Sequence, residues 1–159
     1  MALSRTKKGL IVVFVLISLL GTYMTYDNYT TAQNRIDKSE AVKGNVVDNG
    51  MDWDFNEVRK SEGLDYDVQI TYNYTVGGEA YTNDYITPLS RDVTVESSDD
   101  AERYLEEYKT GSVIEVYYMP GDPSVSFLTK KTPEILESVM IVFSFLIAAL
   151  VVPFIDLDE

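Results

Sequence analysis

The segment DNGMDWDFNE, residues 48–57, alternates carboxylates with amides, the oxygen-rich chemistry that binds Ca²⁺ or Mg²⁺. Started at Asp52, an EF-hand loop finds Asp54 and Asn56 at its third and fifth positions. Its sixth position needs glycine and its twelfth a bidentate Glu; here they are Glu57 and Gly63. The spacing fails where it matters most, so the segment reads as a solvated acidic loop and no metal is assigned. There is no Cys and no His, hence no disulfide, no thiolate zinc site and no base to activate a serine. With 26 carboxylates in the chain, neighbouring pairs are inevitable and do not argue for glycosidase chemistry. No phosphate-cradling glycine loop is present, because Gly77-Gly78 joins two strands rather than opening a helix. The expectation is a protein that is not an enzyme and holds no cofactor.

Two other residue sets invite chemistry. Tyrosine is abundant, with 12 in the chain. Tyr72, Tyr74, Tyr81 and Tyr85 read as core residues, against a sharper reading in which they line a ligand groove. Asn28-Tyr29-Thr30 and Asn73-Tyr74-Thr75 both fit the glycan acceptor pattern Asn-x-Ser/Thr. About one such match arises by chance in a chain of this composition, so position decides. Asn73 and Thr75 belong to the polar face of a strand, whereas Asn28 lies just past an apolar span, where the bilayer surface blocks access. Asn73 is the expected site.

The elements that position these residues follow from periodicity. In YDVQITYNYTV, residues 66–76, apolar and polar side chains alternate throughout, as in a half-buried strand. Gly77-Gly78 follows as a two-residue hairpin turn accepting positive φ at both positions. That turn sets Val76 opposite Glu79, Tyr74 opposite Tyr81 and Ile70 opposite Tyr85, with the Tyr74/Tyr81 pair on the buried face. AVKGNVVD, residues 41–48, is a short strand candidate, followed by a polar excursion with the single Trp53. Ser97-Ser98-Asp99-Asp100 starts a helix whose apolar face is Ala101, Tyr104, Leu105 and Tyr108, with Gly111 past its end. SVIEVYYM, residues 112–119, is the next strand. Pro120, Gly121, Asp122 and Pro123 form a turn, with fixed φ at each proline and freedom at the glycine. SVSFL, residues 124–128, is the last short strand.

Two stretches of 18 residues carry no charge, residues 9–26 and 138–155. Each is long enough to cross most of a bilayer core. Residues 10–20 hold ten Leu, Ile, Val or Phe, an insertion free energy of roughly −3 to −6 kcal/mol. The basic n-region MALSRTKK also suits a secretory signal, but no small-x-small site follows the apolar run; an anchor is expected. Arg5, Lys7 and Lys8 before the first span place both termini in the cytoplasm and the middle of the chain outside, against the opposing pull of Lys130 and Lys131. The expected organisation is a cytoplasmic tail over residues 1–8, a transmembrane helix over 9–29 and a polar linker over 30–40. An extracytoplasmic β-rich domain over 41–130, a second transmembrane helix over 134–155 and a tail over 156–159 follow. The fold class is an α+β membrane protein: two transmembrane helices flanking a small antiparallel β-barrel or sandwich-like domain with one short helix.

Residues 27–131 carry 21 acidic and 10 basic side chains, a net of −11. That surface repels nucleic acid and anionic lipid and reads as the solvated acidic surface of a halophilic protein.

The motifs as a set resemble a known family. Val42-x-Gly44-x-Val46-Val47, Tyr72-x-Tyr74-x-Val76-x-Gly78-x-x-Tyr81, Tyr108-x-x-Gly111 and Val116-Tyr117-Tyr118-x-Pro120-x-Asp122-Pro123 are similar to the DUF3592 domain of unknown function, found in two-helix membrane proteins. Met119 stands where that pattern usually has Asn. The resemblance implies an extracytoplasmic β-rich domain between two helices and brings no catalytic residues. The expected function is a membrane-anchored interaction or structural module of the cell envelope, its partners the lipid bilayer and a membrane protein. The alternative is an accessory or sensing subunit of a membrane complex.

Overall fold

The computed structural model describes residues 5–54, 65–132 and Ile147. The second apolar stretch, apart from Ile147, lies outside the described residues, as do residues 55–64 of the acidic excursion. The elements in chain order are α1 (Arg5–Lys38), β1 (Glu40–Asp54), β2 (Asp65–Val76), β3 (Glu79–Asn83), β4 (Asp92–Val95), α2 (Ser98–Glu107), β5 (Val113–Met119) and β6 (Asp122–Phe127). The chain divides into two compact units. One is Ala32–Thr132; the described part of the other is residues 5–31 with Ile147.

In the first unit α1 is apolar and largely exposed, with Ser18 buried. Val12, Leu16, Leu19 and Leu20 are more than half exposed. Ser18, Thr22 and Thr25 each donate their hydroxyl to the carbonyl four residues earlier, at 2.8, 2.8 and 2.9 Å, which satisfies polar groups without water. Among the described residues this is the only helix long and apolar enough to cross a membrane.

The expected linker, residues 30–40, is instead the last turns of α1, which runs on to Lys38. Ala32, Gln33, Arg35 and Lys38 favour helix, and the two basic residues sit in the last turn, where the helix dipole welcomes them. Ala32 is fully buried within the second unit. Ser39 ends the helix by donating its hydroxyl to the Ile36 carbonyl at 2.9 Å.

The second unit is one antiparallel sheet in the order β3-β2-β1-β5-β6, with β4 pairing further along β2. No backbone ladder joins β3 to β6 among the described residues, so the described ladders do not close the sheet into a barrel; the two edge strands meet through side chains instead. Its inner face carries Val46, Val68, Ile70, Tyr72, Tyr74 and Val116, packed with Ile86, Leu128 and the Ala101 and Tyr108 face of α2. The β2–β3 hairpin forms as its glycines require: Gly77 and Gly78 have φ of 61° and 90°, and Val76 opposes Glu79 and Tyr74 opposes Tyr81. The register does not reach Tyr85. β3 stops at Asn83 opposite Tyr72, and Ile70 pairs with Asn49 of β1. Beyond Asn83 the chain turns inward to bury Ile86 and Pro88, and β4 then resumes pairing with β2 from Gln69 to Tyr66.

β1 is longer than the strand candidate of residues 41–48. A bulge between Val46 and Asp48 shifts the register and inverts the alternation. Past it, Met51 pairs with Val68 and Asp52 with Asp67. The NGMD part of the polar excursion is therefore strand, and Asp52 is a strand residue rather than the start of a calcium loop.

Candidate functional site

The motif residues converge on one corner of the sheet. Gly44 lies where three elements meet: a Cβ there would stand 2.6 Å from the Asn73 carbonyl oxygen and 2.7 Å from Val116 Cγ2. The glycine of the Val42-x-Gly44 motif thus lets β2 and β5 close on β1. Tyr72 and Tyr74 alternate onto the inner face. The Tyr72 hydroxyl donates to the Tyr85 carbonyl at 2.9 Å and shares a hydrogen bond with Ser126 Oγ at 3.0 Å. Asn83 Nδ2 donates to Ser126 Oγ at 2.9 Å and to the Ser124 carbonyl at 3.0 Å. The Tyr74 hydroxyl donates to the Pro123 carbonyl. Side chains thereby bridge the β3 and β6 edges in place of a ladder. Tyr81 stacks on Tyr74 with ring centroids 5.6 Å apart.

Burial pushes the Tyr72 and Tyr74 phenols up, and the Tyr108 phenol up to about 12. These are neutral, engaged or buried hydroxyls, and the corner is packed core rather than a tyrosine-lined groove. Tyr81 and Tyr85 differ: both are half-buried, the Tyr81 hydroxyl donating to Glu79 Oε2 at 2.9 Å and the Arg91 guanidinium lying 5.0 Å from the Tyr85 ring centroid.

The Pro120–Pro123 turn is tighter than expected. Met119 opposes Asp122, so Pro120-Gly121 alone makes the loop. Gly121 is not among the positive-φ glycines, and its conformational freedom is unused. Pro123 lies inside β6, beside an irregularity in which Asp122 Oδ1 accepts from the Ser124 amide and hydroxyl at 3.2 and 2.6 Å.

Elsewhere the surface offers shallow features. A groove of ≈ 370 Å³ is lined by Val95, Asp100, Arg103, Tyr104, Glu107 and Lys131. Arg103 there is already held by Asp100 at 2.8 Å. Among the described residues no group of three or more His, Cys, Asp or Glu is placed to hold a metal ion. Asn73 is exposed on the outer sheet face with Thr75 beside it, and Asn28 is exposed on α1.

Two structurally important residues escaped sequence reading. Asn49 Nδ2 donates to the Leu105 and Tyr108 carbonyls at 3.1 and 2.9 Å, closing the C-terminus of α2. Arg35 donates to the Pro88 carbonyl, tying the end of α1 to the loop after β3. Neither lies in a local pattern that announces its partner.

An apolar N-terminal helix and a small α+β unit built on a six-stranded antiparallel sheet define the class. The chain belongs to the family described as "Domain of unknown function (DUF3592)", which matches residues 42–133. No curated protein matches the chain.

Proposed function

We propose that this protein is a membrane-anchored interaction or structural module of the cell envelope, with residues 9–29 of α1 and residues 134–155 as spans and residues 41–130 outside. The observation that carries this is α1 itself. Its apolar stretch has a mean hydropathy of 2.0 and is 6% buried, an apolar surface that water does not favour and lipid does. Against a cleaved signal, α1 runs unbroken past Tyr26 to residues held in the folded unit. Washing membranes with alkaline carbonate tests the anchor: the full chain stays in the pellet with residues 9–26 still present by mass. Release to the supernatant, or a mature chain beginning after Tyr26, sinks it.

One observation favours the second reading, an accessory or sensing subunit. Arg35 near the end of α1 binds Pro88, and Ile86 in the same loop accepts the Leu128 and Thr129 amides at 3.1 and 2.8 Å. One loop thus fastens both segments by which the chain leaves the domain. A membrane protein recovered with the chain in stoichiometric amount from mild detergent, and lost in Arg35→Ala, supports this reading. Recovery of the chain alone favours the first.

A further inference from the structure

We propose that Asn73 is the acceptor of an Asn-linked oligosaccharide and that Asn28 is not. The proposal rests on the extracytoplasmic placement given above. In a strand, residues two apart point to the same side. Asn73 and Thr75 are both exposed on the outer sheet face, while Tyr72 and Tyr74 are buried on the inner one. Both side chains therefore project to solvent in the folded sheet, which can carry a glycan there, and neither is engaged by another side chain among the described residues. The flanking partners are small and uncharged: Asn45 and Thr82 lie opposite Asn73, and Val113 opposite Asn45. A row of Thr82, Asn73, Asn45 and Val113 leaves room for a sugar without displacing a charge.

The Asn28 site is built differently. In a helix of 3.6 residues per turn, positions two apart point roughly 200° away from each other. Thr30 Oγ1 is turned back to the Tyr26 and Asp27 carbonyls at 2.9 and 3.0 Å. The hydroxyl of the acceptor pattern, that of Thr30, is thus turned away from Asn28 and held by backbone.

The transfer uses a lipid-pyrophosphate-linked oligosaccharide as donor. Asn73 Nδ2 forms a bond to the anomeric carbon, and the carbon–oxygen bond to pyrophosphate breaks. The lipid pyrophosphate leaves with the bonding pair, and one amide proton passes to a base of the transferase. β2 is hydrogen-bonded on both sides at Asn73, so transfer precedes closure of the sheet. The glycan then lies over the row of Thr82, Asn45 and Val113 on the outer face.

The full chain is produced in a host that carries an Asn-linked oligosaccharyltransferase, and its mass is read before and after an amidase that leaves Asp at each modified Asn. One glycan is expected. It is lost completely in Asn73→Gln and in Thr75→Ala and is retained in Asn28→Gln. Protease added to sealed cells reports the side of the domain independently. A domain accessible from outside with Asn73 bare, or with the glycan on Asn28, overturns the assignment and leaves the topology standing. A domain sealed inside overturns both.

Discussion

Gly44 carries the sharpest constraint on any single residue. A methyl group there meets backbone as well as side chain, at 2.6 Å from the Asn73 oxygen and 2.7 Å from Val116 Cγ2. Overpacking of this kind costs about 1–3 kcal/mol. Gly44→Ala should lower the unfolding free energy of the domain by that amount, and its denaturation midpoint with it, whereas Gly50→Ala, which meets nothing within 4 Å, should change them little. Equal midpoints for the two variants contradict the packing. The phenols supply a pH signature. Burial raises the Tyr108 phenol from 10.0 to about 12, so the folded state keeps a proton that the unfolded chain releases first. The associated stability is complete below pH 10 and is lost as pH rises through 12. Thermal melts between these limits should show falling stability, with a shallower fall in Tyr108→Phe. An identical slope in the variant removes Tyr108 from the account.

At the scale of elements, α2 is held at each end by a different device. Its N-terminus is closed locally, by Ser97 Oγ accepting from the Asp100 amide at 3.2 Å, and Asp99 and Asp100 suit the dipole there. Its last turn has no basic residue. The carbonyls at that end are satisfied by Asn49 from β1, and Thr110 Oγ1 holds the Asn49 amide at 3.1 Å. Asn49→Ala strands two part-buried carbonyls, at a cost of about 1–3 kcal/mol. Hydrogen exchange at the amides of residues 104–108 should quicken while the β2–β3 hairpin is unchanged. Uniform protection in both elements argues that Asn49 is dispensable.

At the scale of the molecule, charge is the dominant tension. The net of −11 over residues 27–131 is neutralised only in part, and Asp52 stands directly opposite Asp67 across the β1–β2 ladder. Directly opposed like charges across a ladder are destabilising. Salt shortens the screening length from about 30 Å at 0.01 M to 3 Å at 1 M. The melting temperature of the full chain in detergent should therefore rise with salt. Asp67→Asn keeps an acceptor for Thr94 Oγ1, which now donates to Asp67 at 2.6 Å, and removes one opposed charge. It should melt higher than the parent at low salt and converge with it at high salt. A gap independent of ionic strength points to something other than charge.

What the sequence determined by itself is what contiguous residues encode. The alternation in residues 66–76 and the two glycines after it set the β2–β3 hairpin and its inner face, because strand period and turn sterics act within a dozen residues. The capping serine and apolar face of α2, and the uncharged run of α1, are local in the same sense. The tertiary structure alone decided the rest. The β1 bulge inverts the alternation after Val46, so a continuing strand looks like a polar loop until β2 is laid beside it. Residues 30–38 show no period, yet they stay helical where Ala32 is buried and Arg35 finds Pro88. Asn49 reaches Tyr108 across 59 positions and Tyr72 reaches Ser126 across 54. Such partners are fixed by the sheet order, which no local period contains, because hydrogen bonds and close packing depend on distance in space and not along the chain.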